Sequence, residues 1–186
     1  QENCMSHLKD NRRNNIITAS ACWSSVYERQ KLWRQMTLRE APFEGNEATE
    51  YGNMNEPVAI SALEKELDDI VESGNKLIVH QDLPFGASPD GYYNGYPIEV
   101  KCPFTQVVYP EIPERYYFQT QMQMTVLGVD KCYFYIWTPT DTKLEIINFD
   151  EKWLEWYKPL ALEFMSYIEQ DIEPKRWTKK PIFIKE

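Results

Sequence analysis

The chain has 186 residues, enough for one domain with a sizeable core, and 42% hydrophobic with 14% aromatic content excludes a disordered protein. Its formal net charge of −9 argues against nucleic acid on bulk electrostatics, though a bound metal or a local basic patch can present positive potential within an acidic whole. No apolar run approaches the roughly 20 residues that span a bilayer, and no signal-like pattern opens the chain, so a soluble cytoplasmic protein is expected.

Residues 1–15 are polar and irregular in pattern, with Arg12 and Arg13 as their basic pair. Ile16 to Ser20 leads into a helical pattern that reaches about Met36, with Thr18 as a plausible N-cap. Residues 37–51 read as a loop. A helix is expected from Gly52 to Ser73, with Val58, Ala62, Leu63, Leu67, Ile70 and Val71 as its apolar stripe and Gly74 as its stop. Glu56 then falls in the first turn, just before Pro57, where the helix dipole alone would favour an acid. Lys76 to Leu83 reads as a first strand, with His80 a core or edge histidine and neither it nor Asp82 assigned to a site.

The next stretch, GASPDGYYNGYPIEVKCPF over residues 86–104, reads as a β-hairpin turning at Asn94 and Gly95. Asn-Gly suits the two positive φ angles that a tight hairpin turn requires. Side chains alternate along a strand, so Ile98 and Val100 share one face while Glu99 and Lys101 share the other. Asp90 lies before the turn on the partner strand, and the hairpin can bring it to Glu99 and Lys101. Two carboxylates and an ammonium so placed can hold a divalent cation and position a water; an ordinary charged hairpin face would carry the same residues.

A loop over 105–112 precedes a helix from Pro113 to Leu127, ended by Gly128 and carrying Gln119, Gln121 and Gln123. Lys131–Thr138 and Lys143–Phe149 form a second hairpin, and Asp150 opens an amphipathic helix that Pro159 is expected to kink. Residues 174–186 are a basic tail with Lys175, Arg176, Lys179 and Lys180, suited to a phosphate backbone or simply a mobile terminus. Cys4, Cys22, Cys102 and Cys132 make no Cys-x-x-Cys pair, and with His7 and His80 they complete no zinc spacing, so reduced structural thiols are expected. The absence of repeats and linkers makes residues 1–186 one domain: α/β, with a mixed central β-sheet flanked by helices.

The wording SPDG followed by IEVKCPFT resembles the PD-(D/E)XK nucleases, and among them the phage lambda exonuclease-like, or YqaJ-type, viral recombinases. That resemblance implies a restriction-endonuclease-like core and a Mg²⁺-dependent exonuclease, with Mn²⁺ as a substitute ion. Such an enzyme digests one strand of linear duplex DNA from its 5′ end to mononucleotides, leaving a 3′ overhang for recombination. Asp90, Glu99 and the Val100 carbonyl would hold the metal, and Lys101 would orient or help deprotonate the attacking water. Gly52 to Glu56 matches the family's G-x-x-x-E pattern, making Glu56 a third active-site carboxylate. The superfamily's site glutamine falls nearest Gln121, with Gln119 and Gln123 as the other candidates. Arg13, Ser20 and Ser88 fall where the family binds a terminal 5′-phosphate, a role that a guanidinium fork and a helix start suit. Double-stranded DNA ends, a homo-oligomer (a trimer by resemblance) and a single-strand-annealing protein are the implied partners, within a bacterial host if the chain is phage-encoded. An endonuclease of the same superfamily is the near rival, and a non-catalytic DNA-binding subunit the distant one. Arg13 with Ser20 weighs against the first, and an intact Asp90, Glu99 and Lys101 against the second.

Overall fold

A computed structural model describes residues 15–186. Two sheets organise it. The larger has five strands in the order β2 (Glu72–Ser73), β5 (Gly91–Tyr93), β6 (Tyr96–Lys101), β7 (Lys131–Trp137) and β8 (Thr142–Asn148). All neighbours in it are antiparallel except β6 and β7, which run parallel with Glu99 opposite Phe134. A parallel pair needs a crossover, and α4 (Glu114–Leu127) supplies it. The smaller sheet sets β4 (Phe85–Ala87) between β1 (Ile17–Thr18) and β3 (Ile78–Val79). The expected mixed sheet is therefore present, but the first strand read over 76–83 contributes only Ile78–Val79, and to the smaller sheet.

The alternation along β6 builds the two sides of the larger sheet. Ile98 and Val100 face α3 (Glu47–Leu67), where Ala59, Leu63 and Tyr135 complete a small core. The other side packs on α4, which is buried nearly all round because the second sheet and α5 (Glu151–Gln170) cover its far face. Phe118 on α4 meets Trp153 and Tyr157 on α5, and those two rings stack 4.7 Å apart. Among the described residues no helix is long and apolar enough to cross a membrane.

Three expectations about α3 need correction. It starts at Glu47, within the region read as loop, because the Asn46 side chain accepts the Thr49 N–H at 3.0 Å and Glu47 and Glu50 suit the dipole of the first turn. It stops at Leu67, where Asp68 takes the left-handed conformation (φ 51°), so Gly74 is no terminator. Val58 and Ile70, assigned to its apolar stripe, are exposed. Before α3, α1 (Ser24–Tyr27) and α2 (Arg29–Met36) follow a 3₁₀ turn over Ala19–Ala21, in place of one continuous helix; Thr18 heads that turn without a side-chain capping bond.

Candidate active site

The β5–β6 hairpin turns as the sequence predicts, with φ of 50° at Asn94 and 81° at Gly95. Asp90 is anchored just before β5: its N–H donates to the Ile98 carbonyl at 3.0 Å, and its Oδ2 accepts the Val100 N–H at 2.7 Å. The hairpin thus carries Asp90 to the middle of β6, beside Glu99. Gly74 explains how the chain before it can pass so close. A Cβ there would stand 2.2 Å from the Pro89 carbonyl oxygen, and the next residue, Asn75, donates its N–H to that same oxygen at 2.6 Å. Glycine is required for this approach.

Glu99 is almost completely buried, and α4 meets it from above. Gln119 donates to Glu99 Oε1 at 2.9 Å, and Gln123 donates to Oε2 at 2.6 Å. Lys101 Nζ lies 2.8 Å from Glu99 Oε1, donates to Gln119 Oε1 at 2.9 Å and rests 4.3 Å above the Tyr116 ring. Glu56 approaches from α3, its Oε1 accepting from Asn75 Nδ2 at 3.4 Å. Because α3 begins at Glu47, Glu56 is in mid-helix, and the dipole of a first turn does not account for an acid there.

Of the three glutamines, the structure brings Gln119 and Gln123 to the site and takes Gln121 away. Gln121 is fully buried, donating to the Asn148 carbonyl at 3.0 Å and accepting the Asp150 N–H at 2.8 Å. It clamps the junction where β8 hands over to α5, whose N-cap is Asp150. The spacing held the signal: residues four apart share a helix face and the residue between them does not.

Electrostatics mark the cluster as short of positive charge. Burial and the nearby Glu99 carboxylate push Asp90 up to about 8, with Glu56 adding to the shift. Burial and the same acids, Glu56 and Asp90, push the Cys102 thiol up to about 11. Burial pulls the Lys101 ammonium down, but Glu99 beside it outweighs that and leaves it above its ordinary value. Lys101 is thus held as a cation by the Glu99 carboxylate beside it. A divalent cation fits this donor set, because it would offset two crowded carboxylates with hard oxygen ligands. Among the described residues no three Asp, Glu, His or Cys side chains converge closely enough to hold a metal alone. Asp90, Glu99 and the Val100 carbonyl would leave positions for water and for substrate oxygens, as magnesium prefers.

The cluster opens into a cleft of about 650 Å³ between α3, the end of β6 and the start of α4, bordered by Phe43, Asn53, Phe104 and Arg115. Of the residues expected to bind phosphate, neither Ser20 nor Ser88 borders this cleft. β1 and β4 run parallel with Thr18 opposite Gly86, so Ser20 and Ser88 leave the small sheet in the same direction, Ser88 two residues before Asp90. Ser20 is exposed and lies 3.3 Å from the Thr18 hydroxyl. Arg13 lies outside the described residues. His80 is structural: its Nδ1 accepts the N–H groups of Asp82 and Leu83 at 3.0 and 2.9 Å. Among the described residues Cys22 and Cys132 are buried free thiols and Cys102 is a half-buried one, as expected; Cys4 and His7 lie outside them.

A family model described as a YqaJ-like viral recombinase domain matches residues 10–130. The fold is similar to the crystal structure of an alkaline exonuclease, LHK-Exo, from Laribacter hongkongensis. The two share 26% identity and a TM-score of 0.76 over 87% of this chain and 91% of that one. The same exonuclease in complex with dAMP matches equally, at 25% identity and 0.76 over 88% and 92%. A phage-related exonuclease from Haemophilus somnus 129PT, at 15% identity, shares the fold with a TM-score of 0.67 over 84% and 96%. No curated protein matches.

Proposed function

The chain belongs to the YqaJ-like viral recombinase domain family, and from that premise we propose that it is a Mg²⁺-dependent 5′-to-3′ exonuclease of linear double-stranded DNA. At the coarser level it is an exonuclease-type nuclease, similar over most of its length to the alkaline exonuclease. One observation carries the finer reading. Asp90, Glu99 and Lys101 meet on one hairpin at the floor of an open cleft, and Gln119 and Gln123 hold the Glu99 carboxylate from outside.

The residues divide the work by chemistry. Asp90, Glu99 and the Val100 carbonyl would hold the ion, which when bound supplies a more acidic water and neutralises charge on the phosphate being attacked. Lys101, held as a cation by Glu99, orients the attacking water and faces the phosphate oxygens. Glu56 borders the same cleft from the α3 side and accepts a proton or hydrogen bond from the water opposite Lys101. Gln119 donates to Glu99 and accepts from Lys101, which keeps the two at a constant separation as a strand passes. Arg13, Ser20 and Ser88 receive the terminal 5′-phosphate in this reading. The 5′-mononucleotide product, a homo-oligomeric assembly and a strand-annealing partner for the 3′ overhang belong to the same proposal.

The test is digestion of linear duplex DNA labelled at either end, with and without a 5′-phosphate, beside covalently closed circles and with Mg²⁺ added or chelated. The expected result is mononucleotides from 5′-phosphorylated ends, circles spared, and no product in chelator. Cut circles would replace the proposal with an endonuclease. No cleavage with either Mg²⁺ or Mn²⁺ would replace it with a binding subunit.

A further inference from the structure

The basic stretch after α5 is folded onto the start of the chain. Trp177 Nε1 donates to the Val26 carbonyl at 2.7 Å, and the Tyr27 hydroxyl donates to the Pro181 carbonyl at 3.0 Å. Arg29 pins the stretch from within: its guanidinium donates to the Lys175 carbonyl at 2.6 and 3.0 Å and lies 3.6 Å from the Trp177 ring centre. The expected alternative of a mobile terminus does not describe residues 174–181. Between this segment and α2 lies a pocket of about 340 Å³.

Its charge is opposite to that of the chain. Arg29, Lys31, Arg34, Arg176 and Lys180 line it against the single carboxylate of Glu28, in a protein of net charge −9. Two of these cations are committed to the fold, Arg29 as above and Arg34 through Glu40 and Glu173 at 3.2 and 2.6 Å. Lys31, Arg176 and Lys180 are exposed and make no ion pair among the described residues; Arg176 has only a 3.4 Å hydrogen bond to Gln30. One ion pair links the pocket to the active-site cleft. Glu28, on its wall, accepts from Arg115 at 2.9 Å, and Arg115 borders that cleft.

We propose that this pocket is a second nucleic-acid site, in which Lys31, Arg176 and Lys180 hold backbone phosphates of DNA some distance from the cut. The inference rests on the nuclease reading for its choice of ligand. Free cations gathered in one pocket, linked through Glu28 and Arg115 to the cleft read as handling a phosphodiester, suit the charged backbone of DNA. The Arg29–Trp177 packing holds two of the three on a fixed segment, so that they do not have to be ordered on binding. The backbone could be that of the duplex or of a single strand.

The test compares wild type with the charge-reversed variant K31E/R176E/K180E, binding labelled duplex or single-stranded DNA of one sequence across a salt series in EDTA. The expected result is weaker binding together with a shallower salt dependence. The slope should fall by about 0.9 for each duplex phosphate no longer neutralised, or about 0.7 on a single strand, and the substrate that responds identifies the source. Equal affinity and equal slope on both substrates would overturn the site. Thermal melting checks the fold; should the triple variant melt early, K31Q/K180Q is read by the same criteria. Because chelator prevents hydrolysis, the two proposals fail separately. Wild type that binds through these residues but never cuts with Mg²⁺ removes the nuclease reading, and wild type that cuts while its salt slope ignores them removes this site.

Discussion

Gln123 on α4 donates to Glu99 on β6 at 2.6 Å, so the most buried carboxylate of the site is oriented by the crossover helix as well as by Lys101 of its own strand. Gln119, one turn earlier on the same face, takes the other oxygen. Both lone acceptors of Glu99 that face α4 are thereby set before any ligand arrives. The consequences for the enzyme are measurable.

Replacing Gln119 or Gln123 by Ala should lower kcat about 10- to 100-fold, the usual cost of removing a partner that orients a metal-binding carboxylate. Gln121→Ala should instead leave the Asn148 carbonyl and Asp150 N–H unpaired, costing about 1–3 kcal/mol of stability. Steady-state kinetics beside thermal melts separate the two. Equal falls in kcat for the Gln121 and Gln123 variants would contradict this division of roles.

Lys101→Met should reduce turnover about 100-fold or more while DNA is still bound, because in the proposed mechanism the ammonium acts on the water and the developing charge. Single-turnover digestion at saturating enzyme gives the answer directly. Activity equal to wild type would remove Lys101 from the mechanism.

Asp90 sets a pH dependence on the metal-free protein. Its folded carboxyl holds a proton up to about pH 8, against an ordinary value of 3.8, because of burial and Glu99. The folded state thus binds the proton more tightly than the unfolded chain does. The associated stability is complete below about pH 4 and is lost as pH rises towards 8. In EDTA, wild type should melt progressively earlier across that window. Asp90→Asn should match wild type near pH 4 and exceed it at pH 8. Mg²⁺ should raise the wild-type Tm most at the alkaline end, where the carboxylate is already free of its proton.

Gly74→Ala places a methyl against the Pro89 carbonyl and must move the backbone that leads into Asp90. A loss of about 1–3 kcal/mol is expected from such overpacking, with turnover falling as well. A variant that melts and cuts like wild type would show that the approach can relax freely.

Much of the hairpin was legible because its signals are local. Asn94 and Gly95 needed only their backbone preferences to specify a turn, and the two-residue period then put Glu99 and Lys101 on one face with Ile98 and Val100 on the other. Gly128 and Asp150 marked helix ends for the same reason. The start of α3 was missed although Asn46 is a good cap, since the residues after it carry no apolar stripe to announce a helix.

By itself, then, the sequence determined the candidate-site hairpin and the family, because short-range backbone rules and a distinctive run of residues suffice for both. Tertiary structure alone decided which glutamines serve Glu99, why Gly74 is a glycine, and where the basic tail lies. Each of these depends on contacts between segments far apart in the chain. Periodicity can say that two residues share a face, but only packing says what that face meets.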